Sequence, residues 1–178
     1  MNDRALPARA PAAAPILRTP RLVLRPMRAE DWPDYAAVMA SGRAAHMGGP
    51  HDTATAWGLF CHDVASWALF GHGALMIERR DSGETVGQVG LNAGPLFPET
   101  ELGWTLYAGH EGNGYATEAA RGLRDWAWEA LPVDSLVSYI DPANAVSRAV
   151  AQRLGAVEDA RAPRPDAGDI VYRHRRPA

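Results

Sequence analysis

One cysteine, Cys61, is all the thiol chemistry available to this chain of 178 residues. A lone cysteine forms no internal disulfide and no CxxC pair for zinc or redox work, as expected of a reducing compartment. Cys61 reads instead as a small buried apolar residue. Long apolar runs are also missing, with no stretch approaching the ~18 residues that a membrane span needs. Basic charge is not in excess, since 18 Lys+Arg stand against 21 Asp+Glu, a formal net charge of −3. That balance is too acidic to neutralise a phosphate backbone, so the reading excludes nucleic acid and membrane as main partners. The Ala/Pro-rich opening MNDRALPARAPAAAPIL lacks the unbroken apolar core of a secretory signal. Residues 1–17 therefore read as an irregular arm, and the cytoplasm is the expected location.

What is present fits one globular domain over 18–178, with 47% apolar residues and six tryptophans. In RLVLRPM, Leu22 and Leu24 alternate with Arg21 and Arg25, the pattern of a strand. Trp32, Tyr35, Ala36 and Met39 recur at helical spacing, and so do Trp57, Phe60, Cys61, Val64, Trp67 and Ala68 over 52–70. ALMIERR, DSG and ETVGQVGLN read as strand, turn and strand. TELGWTLYA predicts a further strand, and from Tyr115 to Ala130 an apolar stripe (Ala116, Ala119, Ala120, Leu123, Trp126, Ala127, Ala130) predicts a long helix with Glu118, Arg121, Arg124 and Glu129 facing water. SLVSYID is a strand, NAVSRAVAQRLG a short helix capped by Asn144, and AVEDAR and DIVYRHR close the chain as strands. The expected architecture is α/β (α+β), a mixed and mostly antiparallel twisted sheet flanked by helices, with one central βαβ crossover.

Between strand and long helix lies HEGNGYATEA, in which Gly112 and Gly114 precede a strong helix former run. A helix N-terminus offers free N–H groups and partial positive charge, so small residues there admit a phosphate; alternatively the glycines only let the chain turn. A P-loop is excluded, because Tyr115-Ala116 stands where Lys-Ser or Lys-Thr would be needed. A dinucleotide fingerprint meets Thr117 where its third glycine belongs, although Asp141 at a strand end could imitate the ribose-binding acid. A nicotinamide- or flavin-dependent reductase is thus the rival reading. HEGNG begins like HExxH but has Gly114 at the second ligand position, and His46, His51, His62 and His72 lack paired ligand spacing, so no metal is expected. His46, His51, Trp67, Phe70, His72 and Trp104 are read as core or acceptor-pocket residues.

EGNGYATEA resembles the acyl-CoA pyrophosphate loop of the GNAT superfamily of N-acetyltransferases, whose pattern is Gln/Arg-x-x-Gly-x-Gly/Ala, with Gly114 and Ala116 at its matching places. LRTPRLVLRPM and DPANAVSRAVAQRLGA are similar to the branch that includes ribosomal-protein-alanine acetyltransferases. Glu111 departs from the pattern, and an acid beside a pyrophosphate repels it. Either its side chain turns to solvent or CoA binds less tightly. The resemblance implies acetyl-CoA as cosubstrate and direct attack by a primary amine, a protein N-terminus or a small molecule, in a monomer or homodimer. It implies CoA contacts from Gly112, Asn113, Gly114, Tyr115, Ala116, Thr117, Asn144 and Ser147, and carbonyl-polarising backbone N–H groups near Leu106 and Tyr107. Glu101 is the implied base, with a solvated strand carboxylate as its alternative. Ser147 is the implied proton donor to the leaving thiolate, and helix capping is the alternative for Asn144 and Ser147. A catalytically silent CoA-binding module is the remaining reading, motivated by Glu111.

Overall fold

The computed structural model describes residues 13–177. The chain runs β1 (Leu17–Arg18), β2 (Leu22–Pro26), α1 (Trp32–Met39), α2 (Thr53–Phe70), β3 (Ala74–Arg79), β4 (Thr85–Asn92), β5 (Glu101–Leu106), α3 (Tyr115–Ala130), β6 (Ser135–Ile140), α4 (Ala145–Arg153), β7 (Val157–Glu158) and β8 (Ile170–Arg175). Residues 1–12 of the expected arm lie outside the described residues. At its end Leu17 and Arg18 already pair with Leu24 and Val23.

All eight strands form one sheet in the order β1-β2-β3-β4-β5-β6-β8-β7. Every pairing is antiparallel except β5 with β6, the pair joined through α3. This is the expected mixed sheet with one crossover. α3 covers one face, where Ala116, Ala119, Ala120, Leu123 and Ala127 meet Leu22, Leu24, Leu75, Ile77, Val89 and Leu91. Each such leucine, removed wholly from water, contributes about 2 kcal/mol. On the opposite face Val38 of α1 packs with Met76 and Tyr107, and α1 meets α2 through Tyr35, Met39, Ala56 and Phe60. A buried guanidinium ties the first strands together: Arg25 donates from both terminal nitrogens to Asp31 at 2.8 and 2.7 Å and from Nε to Glu78 at 2.7 Å.

Four sequence expectations are corrected, the first on α3: Arg124 donates Nη1 to the Leu154 carbonyl at 2.7 Å instead of facing water, and Trp128 rather than Ala130 is buried. α2 is apolar almost all round, so its periodicity does not select a face. The core takes Ala56, Phe60, Trp67 and Phe70, while Trp57 and Val64 remain exposed. Cys61 lies on that outer stripe and is exposed rather than buried. Glu118 does not face water, because its carboxylate accepts from Thr19 Oγ1 at 2.6 Å and from the Arg21 backbone at 2.8 Å.

Candidate active site

β5 and β6 touch at a single register position, Glu101 opposite Val137. Beyond it the strands part. The Tyr107 N–H donates to Val86 on β4 at 2.8 Å, and strand alternation then turns the N–H groups of Trp104 and Leu106 toward the parted edge. Tyr107 therefore has no free N–H for a ligand, and the donors facing the gap are those of Leu106 and Trp104. Near its closed end Ser138 on β6 donates to the Leu102 carbonyl at 2.6 Å and accepts from His174 Nε2 at 3.0 Å. Burial, with a smaller contribution from the Arg124 charge, pushes the His174 imidazole down to about 4, so it stands neutral there. From Glu101 to Leu106 the open edge runs roughly 16 Å at ~3.3 Å per residue.

The glycine turn follows directly at the gap's open end. Gly112 and Gly114 have φ of +78° and +79°, a left-handed conformation that any side chain would strain. A Cβ on Gly112 would meet nothing within 4 Å. Gly114 is also the N-cap of α3 and carries no capping side chain, so the N–H groups of Tyr115, Ala116 and Thr117 have no intrahelical partner. The loop is held from the first strand: Arg21 donates Nε to Glu118 at 2.7 Å and Nη1 to the Asn113 carbonyl at 2.9 Å, and its guanidinium stacks on Tyr115. Asn113 Nδ2 closes the turn through the His110 and Glu111 carbonyls at 3.3 and 3.2 Å.

Glu101 is half-buried at the gap's closed end, its Oε2 accepting from Asn92 Nδ2 at 2.8 Å. Burial pushes its carboxyl up to about 7, against the opposing pull of Asn92 and the Tyr139 backbone. Next to it Gly103 faces Gly90 across β4 and β5, leaving a strip without side chains. Past that strip Gln88 donates to Asp63 at 2.7 Å, and burial raises the Asp63 carboxyl to about 6. Two desolvated carboxylates thus border a glycine floor on the face opposite α3.

At the start of α4 Asn144 Oδ1 accepts the Ser147 N–H at 3.0 Å, so the capping role holds for this pair. Asn144→Ala is expected to cost about 1 kcal/mol of unfolding free energy, with Asn144→Ser restoring it. Denaturant titration checks this, and an unchanged midpoint for the alanine variant would rule out the cap as a stabilising contact.

The parted β5–β6 edge, the left-handed glycine turn that follows it and the raised Glu101 carboxyl at its other end make up the candidate site. An acetyltransferase (GNAT) domain matches residues 21–157. This chain belongs to the GNAT acetyltransferase family. An acetyltransferase of Agrobacterium tumefaciens str. C58 shares 56% identity with this GNAT chain at a TM-score of 0.90, covering 92% of this chain and 96% of that one. RimL, a ribosomal alpha-N-protein acetyltransferase in complex with coenzyme A, shares the fold at a TM-score of 0.72 with 17% identity, over 90% and 98% of the two chains. The uncharacterised protein YkkB of Bacillus subtilis (strain 168) is 33% identical over 88 residues, 48% of this chain and 51% of that protein. The match therefore spans about half the length of that curated relative.

The histidines and aromatics divide between core and rim of this GNAT site. His72 and Phe70 are buried and stacked, Trp67 donates to the Ala74 carbonyl at 2.8 Å inside the core, and Trp104 packs between two core clusters. His51 Nε2 lies 3.1 Å from the Met47 carbonyl. His46 reaches across to Asp141 at 2.7 Å. Among the described residues no group of three His, Cys, Asp or Glu is placed to hold a metal ion, and no helix is long and apolar enough to cross a membrane. Sequence reasoning missed Asn92, Asp63, Arg21 and Arg43 as site residues. The partners of Asp63, Arg21 and Arg43 are distant in sequence, and that of Asn92 lies across the β4–β5 connection; only the Arg21 segment stood in a motif that carried the family resemblance.

Proposed function

We propose that this GNAT enzyme transfers the acetyl group of acetyl-CoA to a primary amine, a protein N-terminus or a small-molecule amine, by direct attack. The observation that carries the reading is Glu101, a carboxylate raised to about 7 at the closed end of a gap whose mouth is the glycine turn. A base poised near neutrality accepts a proton from an amine without being permanently protonated. In the proposed step Glu101 takes a proton from the bound ammonium, the neutral amine nitrogen that results attacks the thioester carbon, and the attached nitrogen then gives up its second proton to solvent. The tetrahedral intermediate then collapses, the C–S bond breaks, and the thiolate takes a proton from Ser147 or solvent. The Trp104 and Leu106 N–H groups suit the acyl oxygen and the pantetheine amides. Gly112, Asn113, Gly114, Tyr115, Ala116 and Thr117 would receive the pyrophosphate, and the N-terminus of α4 at Asn144 and Ser147 would lie beside the thiol end. The Asp63 and Glu101 carboxylates favour an acceptor that arrives as a cation, and the cytoplasm is where acetyl-CoA would meet it.

The rival reductase reading loses its support in the topology, since dinucleotide folds rest on parallel sheets and β5 is flanked by antiparallel β4. Thermal melting with acetyl-CoA, CoA and NADH in parallel tests the choice. A ligand at 100 times its Kd stabilises by about 2.7 kcal/mol, and an upward shift is expected with the two CoA species alone. A shift with NADH alone would return the reductase. Turnover across an amine panel then separates an enzyme from a silent CoA-binding module.

A further inference from the structure

Glu111 is the departure from the family's loop pattern, and its surroundings account for it. The carboxylate is ion-paired to Nη2 of Arg43, while its other oxygen accepts the Gly109 N–H at 2.9 Å. These hydrogen bonds hold its carboxyl below the usual range, the contribution of its own backbone being largest. Arg43 also donates from Nε and Nη2 to the Leu106 carbonyl at 3.2 and 2.8 Å. Its guanidinium therefore stands at the mouth of the gap, between the last residue of β5 and the first residue of the loop pattern.

The position is built from both sides. Arg43 lies on the 3-10 turn Gly42–Met47, whose start is fixed by Ser41, with Oγ accepting the Arg43 N–H at 3.2 Å and donating to the Val38 carbonyl at 2.7 Å. The turn's far end is fixed by the His46–Asp141 contact at 2.7 Å, which spans to the loop after β6. The Arg43 side chain is 34% exposed, and its Nη1 makes no hydrogen bond among the described residues.

We propose that Arg43 is a cosubstrate-binding residue that supplies the cation for the CoA pyrophosphate, with Glu111 as the group that aims it; this rests on the acetyl-CoA reading above. Arginine makes strong charge-assisted hydrogen bonds to phosphate oxygens, and Nη1 is the nitrogen left to make them, since Nε and Nη2 are engaged by Leu106 and Glu111. Glu111 engages one edge of the fork and leaves Nη1 for the ligand. An unpaired acid here would repel a diphosphate, whereas the Arg43–Glu111 pair presents donors to it with the acid's charge already balanced.

The test is calorimetric titration of CoA, and of pantetheine, which lacks the pyrophosphate, into the wild type, Arg43→Ala, Arg43→Lys and the double variant Arg43→Ala/Glu111→Gln. Arg43→Ala is expected to weaken CoA binding by about 10- to 100-fold, the range for lost charge-assisted hydrogen bonds, and to leave pantetheine unaffected. Arg43→Lys should recover part of the loss, and so should the double variant, because it removes the uncompensated acid. CoA binding as tight in Arg43→Ala as in the wild type would overturn the proposal alone. Equal loss of pantetheine would overturn it too, by showing that Arg43 acts on the strand edge rather than on phosphate. Failure of the wild type to bind CoA would overturn both this and the acetyl-CoA reading.

Discussion

Glutamine in place of Glu101 is expected to lower kcat/KM by about 10²- to 10⁴-fold, the contribution of a positioned general base, while CoA binding stays unchanged. In the wild type kcat/KM should rise with pH and level off above about 7, because the carboxyl must lose its proton before it can accept one from the amine. The variant should lack that limb. Stability moves the opposite way to activity. A carboxyl whose native pKa lies above its unfolded value binds its proton more tightly in the folded state, so its contribution is present at low pH and is lost as pH rises through about 7. Glu101→Gln should therefore melt no lower than the wild type at pH 8, and above it if the desolvation is as strong as the geometry implies. A large loss of rate without loss of Tm identifies the base. An undiminished rate in the variant would transfer the role to another group, with Asp63 next in line.

Gly114→Trp is the second large effect. Any side chain there adopts the left-handed φ of +79° at a cost of about 1–2 kcal/mol, which a domain stable by ~5–15 kcal/mol survives. Its Cβ would lie 3.4 Å from Arg21 Nη2, so an indole at this point presses on the guanidinium that holds the Asn113 carbonyl and covers the first N–H groups of α3. CoA affinity should fall by at least about 100-fold, as expected for roughly two charge-assisted hydrogen bonds. A cooperative melt without ligand, but with no shift on adding CoA, is the expected signature. An unaltered ligand shift would remove the loop from the binding site.

What the sequence revealed follows from how local each signal is. α3 was legible to its ends, Tyr115 and Ala130, because alanines at helical spacing among charged residues mark an apolar stripe, but its edge was not, since Trp128 outside the expected stripe is buried. The glycine turn was legible because two left-handed residues close to a helix start need glycine. α2 was legible as a helix but not in its orientation: Ala56, Phe60, Trp67 and Phe70 on one side and Trp57, Cys61, Val64 and Ala68 on the other are both apolar rows at helical spacing, and packing against α1 decided between them. Glu118 looked like a solvent residue because its partners, Thr19 and Arg21, are near only in space. Arg43 gave no signal, since the turn that carries it is too short for a periodicity. The raised carboxyls of Glu101 and Asp63 are products of burial, which no spacing of letters encodes.

The Arg21 clamp has a practical corollary. Thr19 and Arg21, on the short link between β1 and β2, hold the carbonyl and the helix turn around the proposed pyrophosphate site, so the mouth of that site hangs from the beginning of the described chain rather than from its centre. Strain applied there, by a fusion partner or a clipped leading segment, would surface as weakened cosubstrate affinity in a molecule that still melts cooperatively. Purification handles belong at the opposite end, where β8 and the residues after it lie away from the loop in sequence, if measured affinities are to describe the enzyme rather than the tag.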